Sequence, residues 1–241
     1  MPLTEELFRE DAHLQQCEAS IVFIDDAGVG LDRTVFYPLG GGQAGDTGQL
    51  ILPDGRRLDI ADTRKHKTRS GDIAHVPLQA QDIASLGLSV GQKVQAVIDP
   101  ERRRAHMRFH TATHLLCALV PHPVDGCSIT AQSARLDFHM TEPLDKDQLT
   151  EGIARLVAQA RAIRHRWISE EALDANPALV RSMSVQPPRG LGRVRVLEIE
   201  GIDLQPCGGT HVGNTSEVGA VVVTRIEKKS ARTRRVVLGF A

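Results

Sequence analysis

The sequence predicts an α+β protein in two parts, a small barrel-like β domain over residues 1–98 followed by an α+β domain over 99–241. Three observations carry this reading. β-rich runs separated by turn residues fill the first hundred positions, a capped helix signal begins at Asp99, and strand and helix signals alternate from there onward. A length of 241 residues suits two domains of ordinary size.

Taken in order, "ASIVFIDDAGVGLDRTVFYP" holds two β-rich runs around a Gly/Asp turn, and "GQLILPDGRRLDI" holds two more around Pro53-Asp54-Gly55. Val94, Ala96 and Ile98 recur at the period of a strand with one buried face. Asp99 then caps a helix, Pro100 suits its first position and Glu101 complements its dipole, so about five turns should run to Val120, where Pro121 and Pro123 stop it. "VPHPVDGCSIT" reads as a loop and "SARLDFHM" as a strand. Leu149, Ile153, Leu156, Val157, Ala160 and Ile163 form the apolar stripe of a helix starting near Asp145. "RVRVLEIE", "VGAVVVTRI" and "RRVVLGF" are further strands, and the Pro/Gly-rich "QPPRGLG" at 186–192 is the candidate mobile loop.

A net charge of −1 argues against indiscriminate binding to nucleic acid or membrane, so any such contact must be local. The N-terminus has no apolar core of a secretory signal, no stretch approaches the ~20 apolar residues of a membrane span, and four cysteines in so long a chain do not make a disulfide framework. These features lead us to expect a cytoplasmic protein with no membrane partner.

"YPLGGGQAGDTGQL" contains G-x-G-x-x-G at Gly40, Gly42 and Gly45. A dinucleotide fingerprint needs a helix opening at the last glycine to supply amides to the pyrophosphate. Here a β-hairpin signal follows instead, and the Gly-Lys-Ser/Thr end of a P-loop is missing. No nucleotide cofactor is expected, and a turn between strands accounts for the glycines.

The stronger chemistry lies in two distant segments. "HTATH" sets His110 and His114 one turn apart on the predicted helix, so both imidazoles leave one face. "CGGTH" offers Cys207 and His211 across two glycines that let the backbone curl. Each pair alone is more often the mark of ordinary packing; together they make an N/S donor set of the kind zinc prefers. The H-E-x-x-H pattern of zinc proteases is absent, because Thr111 stands where its glutamate base would be.

"RFHTATHLL", "ARLDF", "CGGTHV" and "TSEVGAVVVTRIEKKSARTRRV" resemble the editing domain of alanyl-tRNA synthetase and its free-standing relatives, the AlaX trans-editing proteins. "TVFYPLGGGQAGDTGQL" resembles the segment ahead of the zinc domain in the medium-length class. The likeness runs from about Val35 to Val236. It implies a zinc-binding editing domain of the threonyl/alanyl-tRNA synthetase type over 99–241, holding one Zn2+ per chain on His110, His114, Cys207 and His211. It also implies an ATP-independent hydrolase that deacylates tRNA(Ala) mischarged with serine or glycine at the acceptor end; a monomer is the default expectation. A pocket for alanine cannot strongly reject either amino acid, which is why a second site is needed.

By the same resemblance Gly40, Gly41, Gly42 and Gln43 shape the cleft for the acceptor end, and Thr130 supplies a hydroxyl to recognise serine, an edge-strand threonine being the plain alternative. Gln205 stands where the synthetase-attached relatives often carry a carboxylate, and an amide cannot act as a base. The metal then either activates a water or closes its tetrahedron and orders the pocket. Two basic clusters, Arg102, Arg103 and Arg104 and the "EKKSARTRR" run with Lys228, Lys229, Arg234 and Arg235, are candidates for RNA contact. With only eight aromatic residues, phosphate contacts should outweigh base stacking. Two alternatives stay open: a deacylase of Ser-tRNA(Thr) on the same scaffold, and a zinc-stabilised RNA-binding module without catalysis.

Overall fold

The computed structural model describes residues 3–183, 186–187, 190 and 192–241. Pro188, Arg189 and Leu191 of the Pro/Gly-rich segment therefore lie outside the described residues. The chain is α+β and divides into two compact units, Met1–Gly40 with Ala44–Arg104, and Gly41–Gln43 with Ala105–Ala241. Among the described residues no helix is long and apolar enough to cross a membrane.

The first unit contains β1 (Glu5–Glu6), β2 (Gln16–Asp25), β3 (Gly28–Leu31), β4 (Arg33–Thr34), β5 (Gly48–Ile51), β6 (Arg57–Lys65), β7 (Ile73–Pro77), a short α1 (Gln81–Ser85) and β8 (Lys93–Ile98). β1 and β4 pair in parallel, while the other six strands close into a barrel in the order β2-β3-β7-β6-β5-β8. Closure follows from the residue pattern: alternate side chains of β8 (Val94, Ala96, Ile98) and of the first half of β6 (Leu58, Ile60) are buried, and Ile21, Leu31, Phe36 and Leu50 fill the same core. At Gly45, β5 follows rather than a helix, so the G-x-G-x-x-G spacing lacks the frame of a dinucleotide fingerprint.

A buried histidine in this barrel gives a pH signature. His75 Nδ1 donates to Val29 O (2.9 Å), Thr34 Oγ1 donates to its Nε2 (2.8 Å), and Phe36 packs edge-on against the ring. Burial pushes its pKa down to about 4, against the backbone hydrogen bond to Val29. The unfolded chain takes up this proton first as pH falls. His75 therefore contributes full stability above pH ~6.5 and loses up to about 3 kcal/mol of it by pH ~4. Urea unfolding of wild type and His75→Gln should show a stability difference that shrinks across that window; a pH-independent difference would contradict it.

The second unit takes in most of α2 (Pro100–Leu119), whose first turn belongs to the barrel unit. The Arg102 amide donates to Asp99 Oδ1 (3.0 Å), the expected cap. After α2 come β9 (Val124–Ile129), β10 (Ala134–His139), α3 (Lys146–Ala158), β11 (Ile163–Ser169), α4 (Glu170–Asp174), β12 (Arg193–Ile199), β13 (Asp203–Pro206), β14 (Val221–Ser230) and β15 (Thr233–Phe240). They form two antiparallel sheets, β14-β15-β10-β9 and β11-β12-β13. The stretch from Phe109 to Cys117 is buried without interruption, so this part of α2 is packed on all sides.

Two expected elements differ. The helical stripe stops at Ala158: Ala160 turns the chain at φ 49°, and Ile163 opens β11 instead of extending α3. "VPHPVDGCSIT" contains β9, paired antiparallel to β10, because cross-strand hydrogen bonds override its turn-rich composition.

Candidate metal centre

α2 presents His110 and His114 one turn apart, both buried. Cys207 follows β13 directly, and Gly208 and Gly209 bend the chain so that His211 returns toward it. This loop is tied to β12: the Cys207 amide donates to Arg195 O (3.1 Å), and Arg195 Nη1 donates to the carbonyls of Cys207 (2.9 Å) and Gly209 (3.2 Å). One donor atom from each of His110, His114, Cys207 and His211 then lies within 4.8 Å of every other. Cys207 Sγ is 3.2 Å from His211 Nε2 and 3.5 Å from His110 Nε2. Bonds of roughly 2.0 to 2.3 Å in a tetrahedron would require such separations, so the four residues fit a single metal ion.

Each imidazole is held from behind. His110 Nδ1 donates to Gln43 Oε1 (2.7 Å). The Thr210 amide donates to that same oxygen (3.2 Å) while Gln43 Nε2 donates to Thr210 Oγ1 (2.9 Å), which fixes the amide's orientation and leaves His110 Nδ1 as the donor. His114 Nδ1 lies 2.8 Å from Asp203 Oδ2, and His211 Nδ1 3.3 Å from Thr111 Oγ1. With all three Nδ1 atoms engaged, the Nε2 atoms are turned toward the cluster, the usual arrangement around a metal. Asp203 is steadied by Gln205 Nε2, at 3.0 and 2.9 Å from its two oxygens, and by Arg181 at 3.8 Å.

The electrostatics suit ligation. Burial alone would raise the Cys207 thiol, but the charges of His110 and His211 and hydrogen bonds from His110 and His114 hold it well below its ordinary value. Burial, and then the charge of His110, lower His211. At His114 burial is outweighed by the Asp203 hydrogen bond and the Cys207 sulfur, and the pKa is raised. A thiolate thus faces the imidazoles at one point, and a metal binding there would displace the proton that Asp203 and Cys207 favour on His114.

The glycine motif feeds this centre. Gly41 and Gly42 adopt φ of 60° and 85°, and a Cβ on Gly42 would lie 2.9 Å from Cys127 Sγ. Gly42 O accepts from the Ile129 amide (2.7 Å), and Gln43 bridges Ile129 in parallel, so the segment adds to β9 and delivers Gln43 to His110. Gly40 belongs to the barrel unit, where its carbonyl accepts from Tyr37 Oη (2.9 Å).

Other expected site residues lie elsewhere. Thr130 Oγ1 donates to Ser133 O (3.1 Å) and accepts from the amides of Gln132 (3.2 Å) and Ser133 (3.1 Å). In this structure the hydroxyl ties the β9–β10 turn together. Arg103, expected at RNA, is buried against Asp46 in the barrel unit. Arg102 reaches Gly45 O (3.3 Å), and Arg104 is exposed. Arg234 is buried on the carbonyls of Ser230, Thr233 and Thr141, whereas Lys228 and Lys229 are exposed. Sequence reasoning missed Asp203, Arg195 and the task of Thr111; the only available signal was a lone carboxylate in the strand-like "IDLQPC".

The barrel unit and the Cys/His-bearing α+β unit each match a family of tRNA synthetase domains. The family described as "Threonyl and Alanyl tRNA synthetase second additional domain" matches residues 194–237, and that described as "tRNA synthetases class II (A)" matches residues 7–102. Over 97% of its length the chain is 35% identical to the alanyl-tRNA editing protein AlaX-M of Methanosarcina barkeri and of Saccharolobus solfataricus, covering 98% of each. It is also 33% identical, over 95% of its length, to the alanine-tRNA ligase of Metallosphaera sedula, of which it covers 25%. The chain belongs to the AlaX-M family of alanyl-tRNA editing proteins.

Proposed function

We propose that this protein is a trans-editing hydrolase that cleaves the aminoacyl ester of mischarged tRNA(Ala), with seryl and glycyl esters as substrates. The observation that carries this is the convergence of His110, His114, Cys207 and His211, each imidazole anchored at Nδ1, in a chain of this family. The donor set suits one Zn2+, which when bound supplies a Lewis acid able to lower the pKa of water toward ~7. Gln43, Asp203 and Thr111 keep the imidazole nitrogens aimed inward, and Arg195 keeps the Cys207–Gly209 turn in place. Gln205 is spent on Asp203 and cannot move a proton as a base. Four protein donors also fill a tetrahedron, which favours a second reading in which the metal only maintains an RNA-binding fold.

One assay separates these readings. The metal-loaded protein is offered Ser-, Gly- and Ala-tRNA(Ala) and Ser-tRNA(Thr). Release of serine and glycine from tRNA(Ala), with alanine spared, is expected. His110→Ala should lose more than the ~10- to 100-fold typical of removing an outer partner of a metal ligand. Preference for Ser-tRNA(Thr) would move the substrate to threonine editing, tRNA binding without release would favour the non-catalytic module, and full-rate hydrolysis by zinc-free protein would overturn the role of the metal.

A further inference from the structure

Away from the metal centre, the β14-β15-β10-β9 sheet carries a charge cluster built around one carboxylate. Asp137 on β10 accepts from Arg135 Nη1 (2.9 Å), Lys229 Nζ (3.0 Å), Arg235 Nε (2.7 Å) and Arg235 Nη2 (2.9 Å). Strand register explains the gathering: Asp137 lies opposite Arg235 on β15 and Gly126 on β9, and Arg235 lies opposite Glu227 on β14. A Cβ on Gly126 would stand 3.4 Å from Asp137 Oδ2, so the glycine leaves room for the hub.

The carboxylate is hidden, its side chain 3% exposed, while those of Arg135 and Lys229 are 36% and 51% exposed. One cation would neutralise Asp137; three are present. Arg225 and Glu227 on the same sheet pair with each other at 2.6 Å and cancel, and Asp125, beside His139 and Thr233 on this face, offsets one more, leaving an excess of one positive charge in a chain whose net charge is −1. Desolvation works against the Asp137 charge, but its hydrogen bonds to Arg235 and Lys229 outweigh it and keep the pKa depressed, so the hub stays ionised. A buried anion that holds several cations at a surface pre-organises them, lowering the entropic cost of binding an anion from solution.

We propose that this sheet face, with Arg135, Lys229 and Arg235 gathered on Asp137, grips the sugar-phosphate backbone of the tRNA. The proposal rests on the reading of tRNA as substrate and selects, from the basic run 227–235, the residues able to serve it. Arg234 is occupied with carbonyls, Lys229 and Arg235 face the hub, and Arg135 joins them from a strand nearly a hundred residues earlier in sequence. No aromatic ring belongs to the cluster, so contacts are to phosphates and independent of base sequence.

The test measures binding of uncharged tRNA to the full metal-loaded protein across a salt series, for wild type, Lys229→Gln, Arg235→Gln and the double variant. Each substitution should weaken binding severalfold, alike for tRNAs of different sequence, and lower the slope of log K against log salt by about one. In the deacylation assay KM should rise with kcat unchanged. Lys229 is exposed, so Lys229→Gln keeps the test decisive should the arginine variant fail to fold. Unchanged affinity and slope in folded Lys229→Gln would overturn the proposal, as would binding to anionic phospholipid vesicles in place of tRNA. Because the readout needs no ester, loss of the binding effect and absence of hydrolysis are separate failures.

Discussion

Replacing Gly209 by alanine is expected to destroy metal binding while leaving the fold in place. A Cβ at this position would lie 2.1 Å from His110 Cε1, 2.4 Å from His110 Nδ1 and 3.1 Å from Gln43 Oε1. The ring cannot give way cheaply, since α2 is buried around it and Nδ1 is bound to Gln43. The loop cannot move freely either, because Arg195 holds the carbonyls on both sides of the turn. Metal affinity should fall by more than ~100-fold, beyond the usual effect of losing an outer partner, with ester hydrolysis lost in parallel. Gly213→Ala is the matched control, since its Cβ would meet only Glu217 Oε1 at 3.4 Å. Competition with a chromogenic chelator checks both variants; wild-type affinity in Gly209→Ala would show that the close approach does not exist.

The largest loss of stability is expected from Asp46→Asn. Arg103 is 3% exposed, and its Nε reaches Asp46 Oδ1 (3.2 Å) and Oδ2 (3.0 Å), with Nη2 also on Oδ2. Nη1 also donates to Ala12 O (2.8 Å) and Nη2 to Val35 O (2.6 Å), and Asp46 Oδ2 accepts the Tyr37 amide (2.6 Å). Neutralising Asp46 leaves a guanidinium charge buried without its counter-ion, at a cost of about 3–5 kcal/mol. Urea unfolding followed on the barrel unit should show that loss, whereas Arg104→Gln, at an exposed position, should sit within about 0.5 kcal/mol of wild type. Equal midpoints for Asp46→Asn and wild type would mean that the pair is solvated.

The pair also explains how a sequence reading goes astray: "RRR" looks like a basic cluster, yet its middle residue faces the core because a helix turns about 100° per residue. The same local geometry made the ligands readable. Period two marked the barrel strands, Asp99 and Pro121 marked the ends of α2, and four-residue spacing put His110 and His114 on one face. The end of α3 was not readable, since apolar residues at 160 and 163 continue the helical stripe until Ala160 reverses the chain.

By itself the sequence determined the donor types, their pairing in short segments and the α+β order, because these depend on rules that act within a few residues. Tertiary structure alone decided which groups stand behind the imidazoles: Gln43 lies 67 residues from His110, Asp203 89 from His114, and Thr111 100 from His211. No local period relates such pairs. They meet only because the packing of α2, the 41–43 segment and the 203–211 turn brings their polar atoms together where water is excluded, and there each must find a partner.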